Sequence, residues 1–291
     1  MEMQMKSFHI ESTLIADAEP SYIIAEIGIN HNGSLEHALR LIDTAHEAGC
    51  NAVKFQKRTL DVVYSAEEMA RPRDSLFGHT NGDLKRGLEF GINEYRRIDE
   101  YCRELGIHWF ASCWDEDSVD FIEQFNPVAY KIASASLTDD GLLRHTRATG
   151  KPIILSTGMS TLEQIDHAVE VLGTDKLAIM HCCAAYPSKY EDLNLRVIPT
   201  LRARYGVPTG YSGHETGLAS SVAAVALGAC LLERHITTDR ALWGSDQSAS
   251  LEPSGLNRLV RDVRLVESAL GSDQKRLLDC EVPVQQKLRR K

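Results

Sequence analysis

Apolar runs of strand length recur along this chain, and each is followed by a turn signal and then by a stretch of helical periodicity. There are eight such runs: YIIAEIG (22–28), NAVKFQ (51–56), IHWFAS (107–112), VAYKIAS (128–134), KPIILST (151–157), KLAIMHC (176–182), VPTGYS (207–212) and CLLERHIT (230–237). Amphipathic segments such as LEHALRLIDTAHEAG and INEYRRIDEYCRELG lie between them, several opened by Ser, Thr or Asp and closed by Gly. This alternation predicts an α/β fold, a (β/α)8 TIM barrel, for which roughly 250 residues suffice. An open doubly wound sheet is the alternative, but its GxGxxG turn is missing.

Two segments stand outside the repeat. FHIESTLIADAEP at 8–20 predicts a short hairpin that closes the bottom of the barrel. We therefore assign residues 1–20 to an N-terminal hairpin, 21–272 to the barrel and 273–291 to a tail. Residues 60–92, rich in Arg, Asp, Gly and Asn, form a long insertion after the second strand, on the side where barrel active sites lie. A mobile lid and a solvated loop are both open interpretations of this insertion.

Composition narrows the class of protein. The 291 residues are 43% hydrophobic, enough for a large core, and 32 basic against 41 acidic side chains give a net charge of -9. That balance argues against a nucleic-acid or anionic-membrane surface. No apolar signal core or membrane-spanning run is present, which predicts a cytoplasmic protein. The seven cysteines are an odd number without CxxC spacing and are interpreted as reduced core thiols, with a pocket position open for Cys113 and Cys182, which end apolar runs.

Polar residues at the ends of these apolar runs carry the candidate chemistry. Because residues two apart on a strand share a face, Lys54 aligns with Gln56, and Glu233 with His235. Barrel interiors are normally filled by Val, Ile and Leu, so inward charges need partners. One pair alone is best explained as a structural salt bridge. Several lysines, glutamates and histidines converging on one face favour a functional site.

Two histidines are candidates for a metal site. His214 follows the seventh run and His235 lies in the eighth, so neighbouring strands present two imidazoles to one point. Two imidazoles without thiolates, with several positions left for oxygen ligands, suit Mn²⁺ or a similar octahedral ion better than structural zinc. Such an ion polarises a substrate carbonyl as a Lewis acid.

A second group suits an anion. Two cations and three small hydroxyls come from the ends of four runs: Lys54, Lys131, Ser134, Ser156 and Ser212. Ammonium and hydroxyl groups around one pocket fit a ligand with several oxygens, such as a phosphate beside a carboxylate. Each serine alone is an ordinary turn residue.

The chain resembles the sialic acid (N-acetylneuraminate) synthase family. The matching segments are IIAEIGINHNG, AVKFQ, YKIAS, ILSTGM, HCCAAYP, GYSGHE, ERHIT and GSDQSASLEP, in this order from about residue 20 onward. The resemblance implies condensation of phosphoenolpyruvate with the open-chain aldehyde of a sugar, N-acetylmannosamine or a related hexose or hexosamine. The products are a 2-keto-3-deoxy sugar acid and phosphate, by C–O cleavage. A divalent metal, Mn²⁺ first and Mg²⁺ or Co²⁺ next, and a homodimer are implied as well.

Carried over residue by residue, the resemblance implies a role for each matching position. His214 and His235 bind the metal. Phosphoenolpyruvate is held by Lys54, Lys131, Ser134, Ser156 and Ser212. The sugar is contacted by Gln56, Tyr186 and Asp246. Glu26 and Glu233 are the carboxylates nearest the reacting centre, so that the catalytic set is Glu26, Glu233, Lys54 and Lys131.

The chain departs from the family pattern on the sugar side. KIASAS places Ser136 where the family commonly has a glutamate, and HCCAAYP places Ala184 where Asn or Ser is common. The family usually continues through a linker into an antifreeze-like domain, and CEVPVQQKLRRK resembles that linker without the domain. The resemblance therefore implies the donor and the reaction more firmly than the acceptor.

Three other functions stay open at this point. An octulosonate- or heptulosonate-type synthase acting on a phosphorylated aldose is the nearest. A non-catalytic barrel that binds phosphoenolpyruvate or a sugar acid is a second, although it leaves both lysines and both histidines unexplained. A metal-dependent hydrolase is the third and the least supported, because such sites generally need more ligands than two histidines and no HxH stands at the run ends.

Overall fold

The computed structural model describes residues 5–290, and its centre is a closed barrel of eight parallel strands. In chain order the barrel strands are β3 (Tyr22–Gly28), β4 (Ala52–Lys57), β7 (His108–Cys113), β8 (Tyr130–Ile132), β9 (Ile153–Ser156), β10 (Leu177–Cys182), β11 (Thr209–Gly213) and β12 (Leu231–His235). Strands that follow one another in this series are neighbours, and β12 pairs with β3 to close the ring. Each lies within or one residue beyond a predicted run, so the barrel prediction is confirmed.

The sequences of the strands are nearly continuous apolar runs because both faces of each strand are buried. In β3, Ile23 and Ala25 pack outward against the helices, whereas Tyr22 and Ile24 belong to a second cluster inside the barrel. This alternation sends side chains two apart to the same side of the sheet. It also decides which polar residues enter the barrel near the carboxyl ends of the strands.

Eight helices surround the barrel: α1 (Leu35–Glu47), α5 (Ile92–Leu105), α6 (Glu116–Glu123), α7 (Asp140–Ala148), α8 (Leu162–Leu172), α9 (Val197–Tyr205), α10 (Ala219–Ala226) and α11 (Pro253–Leu270). Their ends follow the signals in the sequence. Thr161 caps α8 by accepting from the backbone N–H of Gln164, and α5 ends at Gly106 in a left-handed conformation. The predicted amphipathic stretches are therefore confirmed as the outer layer.

The N-terminal hairpin is confirmed as well. β1 (Phe8–Ile10) and β2 (Thr13–Ile15) pair antiparallel. The hairpin buries Phe8, Ile10 and Ile15 in one cluster with Tyr22, Ala52 and other residues at the amino ends of the barrel strands. These apolar contacts close the bottom of the barrel, opposite the polar strand ends.

The insertion after β4 is structured, so the loop interpretation of residues 60–92 is wrong. It contains α2 (Leu60–Val63), α3 (Ala66–Ala70), the antiparallel pair β5 (Pro72–Ser75) and β6 (Gly78–Thr80), and α4 (Asn81–Leu88). Thr80 and Asp83 form a capping box that starts α4, and Lys57 Nζ lies 2.8 Å from Glu89 Oε1. Most of these elements are too short and polar to show periodicity in the sequence. Whether the insertion moves as a lid stays a prediction.

The last described segment, α12 (Val282–Leu288), follows α11 through exposed chain. Within residues 5–290 no helix combines the length and apolar character that a bilayer crossing requires. All seven cysteines are free thiols, and five of them are buried, as predicted. Cys113 points away from the pocket, since its thiol bonds to the carbonyl of Ser118 beneath α6, whereas Cys182 faces the pocket.

Candidate active site

The carboxyl ends of the strands enclose a cavity of about 220 Å³. Nine of the predicted site residues line it: Glu26, Lys54, Gln56, Ser134, Tyr186, Ser212, His214, Glu233 and His235. The other three stand behind this wall. Lys131 forms an ion pair with Glu233, which lines the cavity, and Ser156 is buried. Asp246 lies in the loop after β12, close to His235. The side chains that the sequence predicts to point into the barrel therefore lie together in one connected group.

Four buried charges form a chain across the cavity floor. Glu26, Lys54, Lys131 and Glu233 are each at most 3% exposed. Lys54 Nζ lies 2.7 Å from Glu26 Oε2 and 3.9 Å from Glu233 Oε2, while Lys131 Nζ lies 3.1 Å from Glu233 Oε1. Two cations and two anions balance one another. The salt bridge between Glu26 and Lys54 is therefore not an isolated structural pair but one part of a larger cluster.

The pKa values of the two carboxylates in this cluster are shifted in opposite directions. Burial, opposed by the charge of Lys54, raises the pKa of Glu26 to about 7. Burial also acts on Glu233, but Lys131 and Lys54 on either side of it hold the pKa of this carboxyl at about 2. Burial lowers the pKa of Lys131 as well. Glu26 can therefore gain or lose a proton near neutrality, whereas Glu233 stays ionised.

Four serine hydroxyls lie at the cavity wall or directly behind it. Lys54 Nζ donates to Ser112 Oγ at 2.9 Å, and Ser212 Oγ donates to Glu233 Oε1 at 3.0 Å. Ser134 Oγ accepts from the N–H of Gly158 at 3.0 Å. The hydroxyl of Ser156 is buried without a partner among the described residues. A buried hydroxyl in that condition is costly unless a ligand supplies the hydrogen bond.

The two histidines lie side by side, with ring centroids 5.3 Å apart. His214 Nδ1–H donates to the carbonyl of Cys183 at 2.9 Å, which leaves Nε2 of His214 as a lone-pair donor. His235 Nδ1 is buried without a hydrogen-bond partner and lies 3.9 Å from Asp246 Oδ2. The ring of Tyr186 lies tilted against that of His214, with ring centroids 4.1 Å apart.

Both imidazoles are in the neutral form that binds metals. Burial, together with the neighbouring His235, lowers the pKa of His214 to about 3, and burial lowers the pKa of His235. Residues 5–290 contain no cluster of three or more potential metal ligands, so the protein would leave most coordination positions to oxygen. Two oriented neutral imidazoles beside a carboxylate fit a catalytic cation with open positions rather than a closed structural site.

The cavity lining also includes the amide of Gln56 and several small apolar side chains. Gln56 Nε2 donates to Glu26 Oε1 at 2.9 Å, which fixes the amide against the carboxylate. Ala135 and Ala184 line the wall, whereas Ser136 is buried in the short 3₁₀ turn Ser134–Ser136 and does not line the cavity. The substitution at Ala184 therefore bears directly on the cavity surface.

Several lining residues were missed by the sequence interpretation. Ser112 and Trp114 come from the third barrel strand and its following turn, and Met159 follows the fifth. The same alternation that selected Lys54 and Gln56 would have found Ser112, two residues after the inward Phe110. Met159 has a φ of +58°, a backbone state that no sequence pattern signals.

The fold and this site define a class: an enzyme built as a (β/α)8 barrel, with a charged pocket at the carboxyl ends of its strands. A model of the NeuB family matches residues 41–275. The chain is 45% identical to the N-acetylneuraminate-9-phosphate synthase of Homo sapiens over 280 residues, covering 94% of this chain and 78% of the relative. It therefore belongs to the NeuB family, the family of the sialic acid synthases.

Two further similarities agree. The chain is 34% identical to the N,N'-diacetyllegionaminic acid synthase of Legionella pneumophila, covering 92% of this chain and 78% of the relative. The crystal structure of an N-acetylneuraminic acid (sialic acid) synthetase from Leptospira borgpetersenii, in complex with citrate, matches with a TM-score of 0.87 at 30% identity. The match covers the full length of both chains. The relatives share the synthase name and differ in the sugar acid that it specifies.

Proposed function

We propose that the protein condenses phosphoenolpyruvate with the open-chain aldehyde of a sugar, giving a 2-keto-3-deoxy sugar acid of the sialic acid type and phosphate. The observation that carries this proposal is that the cluster of two lysines and two glutamates lies at the same cavity as two neutral imidazoles. The lysines suit an anionic donor, and the imidazoles suit a cation that meets the acceptor. The synthase names of the family relatives support the reaction class.

The donor end lies on the cavity floor. Lys54 and Lys131 place two ammonium groups within 4 Å of Glu233, and Ser212 bonds to the same carboxylate. Phosphoenolpyruvate brings a phosphate and a carboxylate, which these ammonium groups bind by charge-assisted hydrogen bonds together with Ser134, Ser156 and Ser212. The free hydroxyl of Ser156 gains a partner when the anion arrives.

The cation site consists of His214 and His235, and Mn²⁺ is the proposed ion, with Mg²⁺ or Co²⁺ able to substitute. Bound there, the ion supplies Lewis-acid polarisation of the aldehyde oxygen. The protein contributes orientation: the carbonyl of Cys183 fixes the His214 ring, and burial keeps both rings neutral. Exclusion of water by the barrel walls strengthens each of these electrostatic contacts.

The bond changes follow from this placement. C3 of phosphoenolpyruvate attacks the aldehyde carbon, and C2 is left electron-deficient. The former aldehyde oxygen takes up a proton and becomes a hydroxyl, while water adds to C2 and loses a proton. Phosphate then departs with the original bridging oxygen, and the new C2 hydroxyl gives up its proton as the ketone forms. Glu26 is the proposed acceptor of the water proton, because its pKa of about 7 suits a general base and Lys54 holds it at 2.7 Å. Glu233 keeps Lys131 charged and oriented.

The acceptor chain extends from the imidazoles toward the mouth. Gln56, Tyr186 and Asp246 are the proposed hydroxyl contacts, and N-acetylmannosamine or a related hexose or hexosamine is the proposed sugar. Tyr186 is 47% exposed, so it stands where a substrate enters. Ala184 and Ala135 leave room and remove polar contacts on one wall, which favours an apolar substituent there.

Aldehyde-dependent phosphate release tests the proposal. The protein is incubated with Mn²⁺, phosphoenolpyruvate and a panel of hexoses, hexosamines and their phosphates in ¹⁸O-labelled water, and phosphate is analysed by mass spectrometry. C–O cleavage predicts phosphate without ¹⁸O, and Glu26→Gln should slow its release about 10²- to 10⁴-fold. Labelled phosphate would contradict the mechanism, and no release with any aldehyde would contradict the function.

A further inference from the structure

A buried arginine lies above the acceptor side of the cavity, and nothing in the proposed reaction yet uses it. Arg58 follows β4 and continues the inward series of Lys54 and Gln56, two residues further on. At 3.3 Å per residue it stands roughly 13 Å along the strand from Lys54, toward the mouth. Its side chain is only 9% exposed.

The guanidinium group of Arg58 has no carboxylate partner within 4 Å among residues 5–290. The nearby carboxylate of Glu89 is committed elsewhere, to Lys57 Nζ at 2.8 Å and to the backbone N–H of Arg58 at 3.1 Å. The guanidinium instead lies over the ring of Trp114 at 4.3 Å and donates to Gln56 Oε1. Both of these partners are neutral, so a buried cation lacks its counter-charge.

Two hydrogen-bond donors in the same stacked pair are also unsatisfied. Arg58 Nε and Trp114 Nε1 are both buried, and neither has a partner among the described residues. Gln56 and Trp114 line the cavity directly, so the pair stands at its edge. An uncompensated positive charge beside two free donors is complementary to an oxyanion, which supplies both the charge and the acceptor atoms.

We propose that Arg58 and Trp114 bind an anionic group, a phosphate or a carboxylate, at the end of the acceptor sugar remote from its aldehyde. This proposal rests on the proposed function and names the substrate class of the same site: a terminally charged sugar aldehyde rather than a neutral one. The anion of phosphoenolpyruvate is assigned to the lysines deeper in the barrel. Arg58 therefore serves the second substrate, and it sets which acceptors the site selects.

Binding of open-chain sugar alcohols tests the proposal independently of turnover. By calorimetry with Mn²⁺ and phosphoenolpyruvate present, three ligands are compared: a hexitol, its 6-phosphate and the corresponding hexonate. The protein should bind at least one charged ligand about 30- to 100-fold more tightly than the hexitol, as expected for a buried charge-assisted contact. The stronger of the two charged ligands identifies the anion as phosphate or carboxylate.

Arg58→Met keeps the aliphatic stem and removes the charge, so it should abolish the preference while changing hexitol binding less than about threefold. Arg58→Lys should retain part of it, because the charge stays and the planar fork is lost. Arg96→Met, which removes an exposed arginine from the outer helix α5, is the matched control and should leave the preference intact.

The proposal is overturned if neither charged ligand binds more tightly than the hexitol, including the case in which none of them binds. It is also overturned if Arg58→Met weakens the hexitol and the charged ligand alike, since that result indicates a structural role. Turnover reports on the reaction separately. A protein that selects the charged sugar alcohol but releases no phosphate with any aldehyde would keep the Arg58 assignment and contradict the synthase function.

Discussion

Two neighbouring residues of one strand belong to two different buried charge clusters. In β12, Glu233 points into the barrel and pairs with Lys131 and Lys54, whereas Arg234 points outward and pairs with Glu215 beneath the helices. Glu233 is 3% exposed and Arg234 1%. Burial and charge pairing alone therefore do not separate a reactive site from a structural one.

The two clusters differ in how fully their atoms are hydrogen-bonded. Glu215 accepts from Ser220, Ser221 and Arg234 on one oxygen and from the Tyr211 hydroxyl, at 2.9 Å, on the other. Around the inner cluster, the hydroxyl of Ser156 and Nδ1 of His235 have no partner among residues 5–290. Within the outer cluster, Arg234 Nε is the one buried side-chain atom without a partner among residues 5–290, and both oxygens of the Glu215 carboxylate are bonded. We interpret the outer cluster, whose carboxylate is fully bonded, as structural, and the inner cluster, with its unpartnered hydroxyl and imidazole, as prepared for a ligand.

Removing one cation from each cluster should have opposite consequences. Lys131→Met is expected to lower kcat/KM for phosphoenolpyruvate about 10³-fold, because a preorganised charge at the reacting anion is lost. Its cost in unfolding free energy should stay below the roughly 3 to 5 kcal/mol of an uncompensated buried charge, because Lys54 remains 3.9 Å from Glu233 and Glu26, with a pKa of about 7, can take up a proton. Steady-state kinetics and urea unfolding measure the two effects.

Arg234→Met is the matched outer variant. It leaves Glu215 buried without its cation, so it should lower the unfolding free energy by about 3 to 5 kcal/mol. At low temperature the folded fraction should keep kcat/KM within about threefold of the unaltered protein, since Arg234 does not line the site. If Lys131→Met unfolds the protein and Arg234→Met does not, the proposed division of roles is wrong.

The pH dependence of stability should separate the clusters as well. Burial raises the pKa of Glu26 to about 7, so the folded state holds a proton that the unfolded state releases above about pH 4.5. The contribution of Glu26 is fully present below that pH and is lost as the pH rises through 7, a loss of about 3 kcal/mol. Urea unfolding of the unaltered protein and of the Glu26→Gln variant is compared across pH 5 to 8. The difference between their unfolding free energies measures the contribution of Glu26.

Glu215 provides the opposite sign. Burial acts on this carboxyl too, but Arg234 and the surrounding hydroxyls hold its pKa below the ordinary value. Its contribution is therefore present above the ordinary carboxyl pKa and is lost as the pH falls through the folded-state pKa. The difference in unfolding free energy between the unaltered protein and Glu215→Gln should therefore vary with pH only below about pH 4.5. A Glu26→Gln difference that is flat from pH 5 to 8 would contradict the raised pKa.

The sequence predicted the barrel because strand and helix periods alternate strongly, and the structure confirms all eight strands. It did not predict the elements of residues 60–92, where a local contact, the Thr80 capping box, and a long-range one, the Lys57 to Glu89 ion pair, stabilise the structure. Four of the five elements there have only three to five residues and the fifth has eight, which is too little periodic signal to be recognised. Long-range pairing is what a single sequence does not display.

Part of the candidate site was also predicted from the sequence, and part of it was not. Inward alternation placed Lys54, Gln56 and Glu233 in the cavity, as the structure shows. The same pattern continues to Arg58, but a charged residue just beyond a strand is usually solvated, and only the structure reveals its burial and its missing counter-charge. Outward Arg234 was overlooked because its partner Glu215 lies beyond the strand on which the pattern was read.

The smallest expected effects, single hydroxyl deletions, test the comparison most finely. Ser156→Ala should leave stability unchanged or slightly increased, because its hydroxyl has no partner in the folded protein, and should weaken phosphoenolpyruvate binding about tenfold. Ser221→Ala should do the reverse: it removes hydrogen bonds to Arg234 at 2.8 Å and to Glu215 at 3.2 Å, costing about 1 to 2 kcal/mol of stability with unchanged binding. Calorimetric titration and urea unfolding of both variants decide the matter. Equal losses of stability in the two would mean that the unpaired hydroxyl is bonded in solution and that incomplete bonding does not mark the ligand site.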